Sequence, residues 1–426
     1  MIVNIPYGKS FVNLSLPDEN VVAVLQPAKH GKAVNESEII KEALNNPLGS
    51  SPLSHIALRK KKICILVSDY TRATPNKILI PPIIEALERA GRRMDDIQIL
   101  VAYGLHKPAP QEELEEFLGG NTVEKFKVVA HNAEDEENLV YLGKTSFGTR
   151  VLVNHLLVES DLIILTGLIE PHFFAGYSGG RKSILPGVSG RETIFNNHGF
   201  KMIMHPLSRY GVLEGNPVHE DMVEAARMVR VQKYLVNVVL DEKFRVAGAF
   251  AGEIFNAHLE GVRFLDKYVK VKSPSKADIV ITSNGGYPLD RDLYQAVKGM
   301  ATGELVSREG GVIVLFAECL DGIGRGHEMF YQLMAEAKNP EETLEKIRCE
   351  EPIRDQWEAQ ILARILRNRK VILVTRNIKQ SLIEEMHMIP TSKPEEALEE
   401  AYRLTGGNSK IIVIPKGPYV IPVAET

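Results

Sequence analysis

Short apolar runs rich in β-branched residues alternate with helical patterns along most of this 426-residue chain. The runs "KKICILVSD", "DIQILVAYG" and "DLIILTGLIE" have the length and composition of buried strands. The segments "PPIIEALERAGRR", with proline in its first predicted turn, and "QEELEEFLGG" have helical spacing. Strands that alternate with helices form a parallel sheet covered on both faces. The sequence therefore predicts an α/β fold.

A second series of the same kind follows a Lys/Ser/Pro stretch near residues 268–277. It contains "ADIVITSNGG", "GGVIVLFAEC", "KVILVTR" and "SKIIVIPKG". A chain of this length has room for two or three domains. We expect two α/β domains with mainly parallel sheets and an active-site cleft between them. Residues 1–270 would carry the catalytic and cofactor-binding loops and 275–410 would contribute substrate-binding residues, while 411–426 either stay in the second domain or return to the first.

Charge and hydropathy exclude several classes of protein. The formal net charge of -4 creates no general attraction for nucleic acid. No apolar run has the length of a membrane span. The first residues, "MIVNIPYGKSFVNLSLPDEN", alternate like a pair of strands and lack the apolar centre of a signal peptide. We therefore expect a cytoplasmic protein that binds neither nucleic acid nor membrane.

Common metal and cofactor motifs are missing from the sequence. Its three cysteines, Cys64, Cys319 and Cys349, show no C-x-x-C spacing, which disfavours a structural zinc site or a disulfide framework. H-E-x-x-H, G-x-S-x-G and G-x-G-x-x-G do not occur, which argues against zincins, α/β-hydrolases and Rossmann dehydrogenases. Two residues have simple structural interpretations: Cys64 as a buried small hydrophobe and Trp357, before an amphipathic helix, as a core or interface residue.

Polar segments follow the predicted strands directly. In open α/β sheets, ligands bind beyond the carboxyl ends of the strands. The segments at these positions are "DYTRATP", "LHKP", the glycine-rich "EPHFFAGYSGGRKSILPG" and "NGGYPLDRDLYQAVK". The rule therefore predicts that these four segments surround a common ligand.

The glycine-rich segment contains a near match to a phosphate-binding loop. "GYSGGRKS" (176–183) differs by one residue from G-x-x-x-x-G-K-[ST], because Arg181 stands where the last glycine belongs. Pro186 would also interrupt the helix that a P-loop needs. A P-loop is therefore disfavoured. An anion site built from the N–H groups of Gly179 and Gly180 together with Arg181 stays open.

Three histidines lie in loops or at element ends near predicted strand termini: His106, His172 and His198. A fourth, His131, precedes an acidic run typical of a solvated helix start. Most single loop histidines are structural or lie on the surface. Two that face one cleft could exchange protons with a substrate near neutral pH. His198 could instead be a metal ligand through a neutral imidazole.

Two further groups of residues suit a small anion. The guanidinium of Arg72 can hold a carboxylate with two hydrogen bonds, and Asp69 could orient Arg72 or a histidine. A surface ion pair between the two is the alternative. In "DLYQAVKG", Tyr294, Gln295 and Lys298 fall within one and a half helical turns, with Tyr294 and Lys298 on one face. An ordinary amphipathic helix is the alternative there.

Five motifs, in this order, resemble the nickel-dependent lactate racemase family over nearly the whole chain. They are "SDYTRATP", "GLHKP", "EPHFFAGYSGGRKSILPG", "NNHGF" and "SNGGYPLDRDLYQAVKGM". The resemblance implies a nickel cofactor, pyridinium-3-thioamide-5-thiocarboxylic acid mononucleotide (the nickel-pincer nucleotide), linked to Lys182. It implies that His198 is the protein ligand of nickel and that cofactor-biosynthesis proteins act on the chain during maturation. The residues expected at the cofactor are Lys182, Asp69, Gly179, Gly180 and Arg181. The placement of the two glycines and the arginine is our own inference and is not implied by the resemblance.

The resemblance also implies the reaction. D- and L-lactate would be interconverted by hydride transfer to and from the cofactor, with His106 and His172 as the acid/base pair. The residues expected at this small-molecule substrate are Arg72, Tyr294, Gln295 and Lys298. Two alternatives stay open: a racemase or epimerase of another 2-hydroxy acid with the same cofactor, and a nucleotide- or anion-binding protein without catalysis.

Overall fold

The computed structural model describes residues 1–29 and 35–424. In chain order, its strands are β1 (Ile2–Tyr7), β2 (Ser10–Ser15), β3 (Val21–Val24), β4 (Ile63–Ser68), β5 (Ile97–Ala102), β6 (Lys127–Ala130), β7 (Leu139–Lys144), β8 (Arg150–Asn154), β9 (Leu162–Leu168), β10 (Pro171–His172), β11 (Gly176–Tyr177), β12 (Gln232–Leu240), β13 (Val246–Gly252), β14 (Lys270–Ser273), β15 (Ala277–Ser283), β16 (Ser307–Phe316), β17 (Lys370–Val374), β18 (Ile389–Thr391), β19 (Ile411–Ile414) and β20 (Ile421–Ala424).

Its α-helices, in the same order, are α1 (Glu36–Asn45), α2 (Leu53–Ile56), α3 (Asn76–Arg89), α4 (Gln111–Leu118), α5 (Gly120–Lys125), α6 (His155–Glu159), α7 (Arg191–Asn197), α8 (Phe200–Met204), α9 (Pro217–Met228), α10 (Ile254–Val269), α11 (Leu293–Val306), α12 (Glu328–Ala335), α13 (Pro340–Cys349), α14 (Gln356–Asn368), α15 (Gln380–Glu385) and α16 (Pro394–Thr405). Among the described helices, none is both long and apolar enough to cross a membrane.

The first sheet has the strand order β13-β12-β9-β4-β5-β6 and is parallel except for β13. Strands β4 and β9 are buried along nearly their whole length, because helices cover both faces of the sheet. The register pairs Ser68 at the end of β4 with Ala102 at the end of β5. The carboxyl ends of β9, β4 and β5 therefore lie side by side at one edge, and the segments that follow them meet there.

The second sheet has the order β18-β17-β16-β15-β19-β3, and each neighbouring pair is parallel. Helix α10 ends the first domain at Val269, and β15 begins the second sheet at Ala277. The predicted fold class, two α/β domains with mainly parallel sheets, is confirmed.

The start of the chain lies in the second domain, which corrects the predicted N-terminal domain of residues 1–270. Strand β3 pairs with β19 at the edge of the second sheet. The β1–β2 hairpin buries Ile5 and Leu14 in one apolar cluster with Ile281 and Val314 of that sheet. Burial of this apolar face explains why the hairpin packs there. The chain passes to the first sheet only after β3.

The C-terminal segment stays out of the first sheet. Strand β19 lies inside the second sheet, between β15 and β3. Strand β20 pairs in parallel with β14, the short strand directly after α10. Residues 411–424 therefore complete the second domain and its boundary, rather than return to the N-terminal sheet.

Helix α3 starts earlier than the sequence pattern predicts. It begins at Asn76, so Pro81 and Pro82 lie inside the helix and not in its first turn. The side-chain Nδ2 of Asn76 donates to the carbonyl oxygen of Ser68 at 3.3 Å. This bond holds the helix start beside the end of β4, and it favours an early start although each proline removes a helical N–H donor.

Candidate active site

A cavity of about 280 Å³ opens where the carboxyl ends of β4, β5 and β9 face the second domain. Helices α11 and α14 and the loop after β16 form its other wall. Most of the residues predicted from the sequence line this one cavity; they are Asp69, Arg72, His106, His172, Gly179, Lys182, His198, Tyr294, Gln295 and Lys298. The rule that ligands bind beyond the carboxyl ends of strands thus predicted residues that share this cavity.

Asp69 orients His106. The carboxylate directly follows β4 and is buried, while the imidazole follows β5 and is partly open to the cleft. Nδ1 of His106 lies 2.6 Å from Oδ2 of Asp69, and the other carboxylate oxygen accepts bonds from the N–H and hydroxyl of Thr71. Burial alone would raise the pKa of Asp69, but His106 and Arg72 outweigh it and the pKa is lowered. An ionised Asp69 can only accept, so His106 carries its proton on Nδ1 and presents Nε2 to the cleft.

His172 lies in a short hairpin formed by β10 and β11 after β9. The hairpin pairs Pro171 with Tyr177 and His172 with Gly176. Gly176 has φ of +77°, and a Cβ there would come within 2.2 Å of the carbonyl oxygen of Val212, so only glycine fits. The turn packs the imidazole of His172 edge-on against the ring of Phe174, with ring centroids 4.5 Å apart.

Lys182 reaches the same point from the turn that follows. Its Nζ lies 3.3 Å from Nε2 of His172 and 5.5 Å from the centroid of the Phe174 ring. Burial, followed by the charges of Arg181 and Arg72, lowers the pKa of Lys182 well below its ordinary value. Burial, followed by Lys182, likewise lowers the pKa of His172. The two groups therefore compete for a proton that neither holds well.

His198 is the C-cap of α7, so it lies at an element end, as the sequence predicted. Its ring is buried between the rings of Phe174 and Trp357, at centroid distances of 5.1 and 5.4 Å. Burial, followed by the charge of Lys182, lowers the pKa of His198 to about 3, so the imidazole is neutral. Its buried Nδ1 has no hydrogen-bond partner among the described residues. A neutral imidazole is the form that binds metal.

Two cations from opposite domains face each other across the cavity. Arg72 follows β4, and Lys298 lies on α11, where its Nζ donates to Oε1 of Gln295 at 2.5 Å. Burial, followed by the charge of Arg72, lowers the pKa of Lys298. A small carboxylate bound between the two would relieve their repulsion, because each would gain an opposite charge.

Arg181 and Gly180 do not line the cavity, which corrects the prediction of an anion site built on them. The buried guanidinium of Arg181 donates to the carbonyl oxygen of Ala175 at 2.7 Å and lies 3.4 Å from Nε2 of His258. The N–H of Gly180 donates to Oδ1 of Asn237 at 2.8 Å. The N–H of Gly180 and the terminal nitrogens of Arg181 are used inside the protein, while the buried Nε of Arg181 has no partner among the described residues. Arg181 therefore holds the glycine-rich loop from behind instead of facing a ligand.

Comparison with known proteins agrees with this geometry. Family models described as the lactate racemase N-terminal domain and the lactate racemase C-terminal domain match residues 7–211 and 272–422. A lactate racemase of Thermoanaerobacterium thermosaccharolyticum is 43% identical over 424 residues, 98% of each chain. A lactate racemase of Lactiplantibacillus plantarum is 40% identical over 425 residues, 98% of this chain and 99% of that one.

The chain belongs to the lactate racemase family. The predicted family and the predicted enzyme class, an isomerase, are thereby confirmed. The solved apoprotein of the Thermoanaerobacterium enzyme superposes with a TM-score of 0.94 at 42% identity, over 99% of this chain and all of that one. A crystal structure of a Thermotoga maritima protein, 19% identical over 93% of this chain and all of that one, shares the fold with a TM-score of 0.69.

Two cavity residues of this family member were missed by the sequence analysis. Trp357 lies at the start of α14 and lines the cleft, where its Nε1 donates to the hydroxyl of Tyr294 at 3.0 Å. Glu358 follows it, and burial raises the pKa of its carboxyl well above the ordinary value although Lys298 opposes this. The rule that ligands bind beyond strand ends could not predict these two residues, because no strand directly precedes the start of α14.

A third missed residue, His327, could have been found. It lines the cleft at the end of "LDGIGRGHE" (320–328), a loop that directly follows β16. The strand rule that located His106 and His172 applies equally to this loop. The fourth sequence candidate, His131, is buried and does not line this cavity, with Nε2 3.0 Å from the carbonyl oxygen of Ser189. The acidic run after it is largely exposed and forms a short 3-10 helix, Glu136–Asn138.

Proposed function

We propose that this chain interconverts D- and L-lactate, with His106 and His172 as its acid/base pair. The observation that carries the proposal is that both imidazoles line one cleft together with Arg72 and Lys298. Two cations suit the carboxylate of a 2-hydroxy acid, and two histidines suit its hydroxyl. The names of the full-length relatives support lactate as the substrate.

Inversion at C2 requires the bond between C2 and its hydrogen to break, and a neighbouring carboxylate stabilises a carbanion poorly. When bound, the nickel-pincer nucleotide would supply a reversible hydride acceptor for this hydrogen. The chain's own residues then have a simpler task. They hold the carboxylate, orient the hydroxyl and move its proton.

His106 is prepared to take the hydroxyl proton. Its Nδ1–H is held by Asp69, so Nε2 offers its lone pair to the cleft. Asp69 also stabilises the imidazolium that forms, because its charge is fixed and buried. His106 acts as the base for one enantiomer and, in the reverse direction, returns a proton to the oxygen as that same enantiomer is formed.

His172 performs the same task for the other enantiomer. Modification of Lys182 would change its environment. With a free amine at 3.3 Å, a proton on either group lowers the pKa of the other. A thioamide link at Lys182 would leave no amine to compete for this proton. His172 would then exchange protons with the substrate alone, which is the state that acid/base catalysis needs.

The buried residues also suit attachment of the cofactor itself. An amine with a lowered pKa is a good nucleophile, and Lys182 is the lysine of the glycine-rich loop. His198 offers a neutral imidazole with an unpartnered buried nitrogen. In the described part of the chain, no cluster of three or more His, Cys, Asp or Glu side chains is arranged to hold a metal. A nickel ion on His198 would therefore take its other donors from the cofactor.

The proposal is tested on full-length protein produced together with the cofactor-biosynthesis proteins. The holoenzyme should contain close to one nickel per chain and racemise lactate. His198→Ala should lose nickel more strongly than His106→Ala or His172→Ala, because a metal ligand holds metal and an acid/base group need not. Metal analysis of the three variants decides this. Equal nickel loss in all three, or a nickel-loaded parent that does not racemise lactate, would contradict the proposal.

A further inference from the structure

The second domain places a histidine in the cleft that the proposed function does not use. His327 lines the cavity, and its Nδ1 lies 3.0 Å from Oδ2 of Asp355. Asp355 is buried and has φ of +67°, in the left-handed region that residues with a side chain rarely adopt. Strained backbone of this kind persists where the surrounding contacts hold it, and it clusters at functional sites.

His327 stacks on a residue of the proposed substrate site. Its ring lies parallel to that of Tyr294, with centroids 3.6 Å apart and an interplanar angle of 4°. The hydroxyl of Tyr294 accepts the indole N–H of Trp357, and the Trp357 ring meets that of His198 at 77°. An unbroken series of contacts therefore leads from Asp355 through His327 to the buried imidazole of the first domain.

The geometry of the stack needs an orienting bond. Parallel rings at this separation are less favourable than offset or edge-on pairs when nothing else fixes them. The bond to Asp355 fixes the plane of the His327 ring. Gly324, with φ of +128°, lets the loop approach, since a Cβ there would lie 3.0 Å from Cδ2 of His327. The loop and the carboxylate together hold the ring flat on its partner.

We propose that His327 is a positioning residue for the substrate wall of the cleft. Its stack, oriented by Asp355, holds Tyr294 and Trp357 rigid against the substrate and against His198. This role of His327 deepens the proposed function. Its effect on kinetics rests on the proposed function, whereas its effect on the position of Trp357 does not. A histidine that merely filled space between the loop and α11 would leave the environment of Trp357 unchanged when replaced by another ring or by alanine.

The chain offers a direct probe of this wall, because Trp357 is its single tryptophan. Intrinsic fluorescence of the full chain and its quenching by acrylamide report the exposure of this indole without cofactor or activity. His327→Ala removes both the stack and the bond to Asp355. Loss of one aromatic pair should increase the fraction of molecules with Tyr294 displaced by about two- to tenfold. Because Trp357 is bonded to Tyr294, the indole becomes more exposed and its quenching by acrylamide should increase. His327→Phe restores a ring but not the bond to Asp355, so its quenching should lie between that of the parent and that of His327→Ala.

Matched variants keep the test decisive. His55→Ala makes the same change at an exposed histidine of α2 and should leave quenching unaltered. Tyr294→Phe keeps the stack but removes the hydroxyl that Trp357 binds, so it should also increase quenching. If far-UV circular dichroism shows that His327→Ala does not fold, quenching above the parent value in both His327→Phe and Tyr294→Phe supports the proposal, and parent-like quenching in His327→Phe overturns it. Parent-like quenching in a folded His327→Ala, or equal quenching in the alanine and phenylalanine variants, would overturn it.

Kinetics of the holoenzyme give the second readout. His327→Ala should raise KM for lactate by about two- to tenfold with a smaller change in kcat, because it loosens the wall and leaves both acid/base groups in place. A fall in kcat with KM unchanged would overturn the positioning role. If the parent holoenzyme does not racemise lactate, the proposed function fails, and the fluorescence result still decides the role of His327.

Discussion

Nε2 of His172 lies 3.3 Å from Nζ of Lys182 inside the cleft, and Nδ1 of the same ring accepts the N–H of Ala175 at 3.3 Å. A neutral imidazole that accepts at Nδ1 carries its proton on Nε2. That proton points at the lysine, which can accept it only as a neutral amine. The hydrogen-bond pattern and the lowered pKa values of both groups therefore agree on an uncharged pair.

A neutral, buried Lys182 should be the point of cofactor attachment. Lys182→Ala should fold like the parent, because no buried ion pair is broken, and it should carry no covalent adduct after production with the cofactor-biosynthesis proteins. Lys107→Ala, at an exposed lysine of the same cleft, is the matched control and should keep the adduct. Intact-mass spectrometry measures both. An adduct of parent mass on Lys182→Ala would exclude this residue as the attachment point.

The bond between Asp69 and His106 should matter for the rate more than for binding. Asp69→Asn removes the charge that fixes the tautomer of His106 and stabilises its protonated form, so we expect kcat to fall by about 10²-fold. Binding of a carboxylate inhibitor, held by Arg72 and Lys298, should change little. Asp95→Asn, at an exposed position, is the control. The role assigned to Asp69 is wrong if steady-state kinetics show kcat within twofold of the parent.

Local patterns in the sequence were sufficient for the fold class and for most of the cleft. Buried parallel strands read as apolar runs, and their carboxyl ends fall at one edge, so Asp69, His106 and His172 could be placed together without a structure. Their hydrogen-bond partners could not. The bond from Ala175 to His172 depends on a hairpin turn whose course no short pattern specifies.

What the sequence could not provide depends on long-range packing. The local sequence around Arg181 is compatible both with a guanidinium that faces a phosphate and with one that packs under its own loop. The position of His258 on α10, far along the chain, decides between the two. The N-terminal hairpin reads as two strands, but which sheet it covers depends on apolar faces far along the chain. The sequence indicated a core or interface position for Trp357, which agrees with the packing of its ring against those of Phe195 and His198. That it also lines the cleft could not be predicted from the local pattern.

His131 should make the stability of the protein depend on pH. Burial lowers its pKa to about 4, and it binds the carbonyl of Ser189 as a neutral ring. Between pH 6.5 and 4 the unfolded chain binds a proton at His131 that the folded chain does not. The stability that the neutral ring contributes is therefore fully present above pH 6.5 and is lost as the pH falls towards 4. The free energy of unfolding should decrease by about 1.4 kcal/mol per pH unit from this group.

Replacement of His131 isolates this effect. His131→Gln keeps a donor for Ser189 but cannot titrate, so its free energy of unfolding should fall less steeply between pH 6.5 and 4 by that amount. Urea unfolding at several pH values measures the slope. His55→Gln, at an exposed histidine, should keep the slope of the parent. A parent-like slope in His131→Gln would show that His131 is protonated in the folded protein.

His106 and His172 are proposed to serve opposite enantiomers, and single-residue holoenzyme variants test this assignment directly. Each turnover needs one histidine as base and the other as acid, so His106→Ala and His172→Ala should each lose racemisation in both directions by at least about 10²-fold. Stopped-flow absorbance of each holoenzyme variant with pure D- and pure L-lactate is the decisive measurement. We predict that each variant responds to one enantiomer only, and that the two variants respond to opposite ones. Identical responses of both variants to both enantiomers, or racemisation by either variant near the parent rate, would contradict the account.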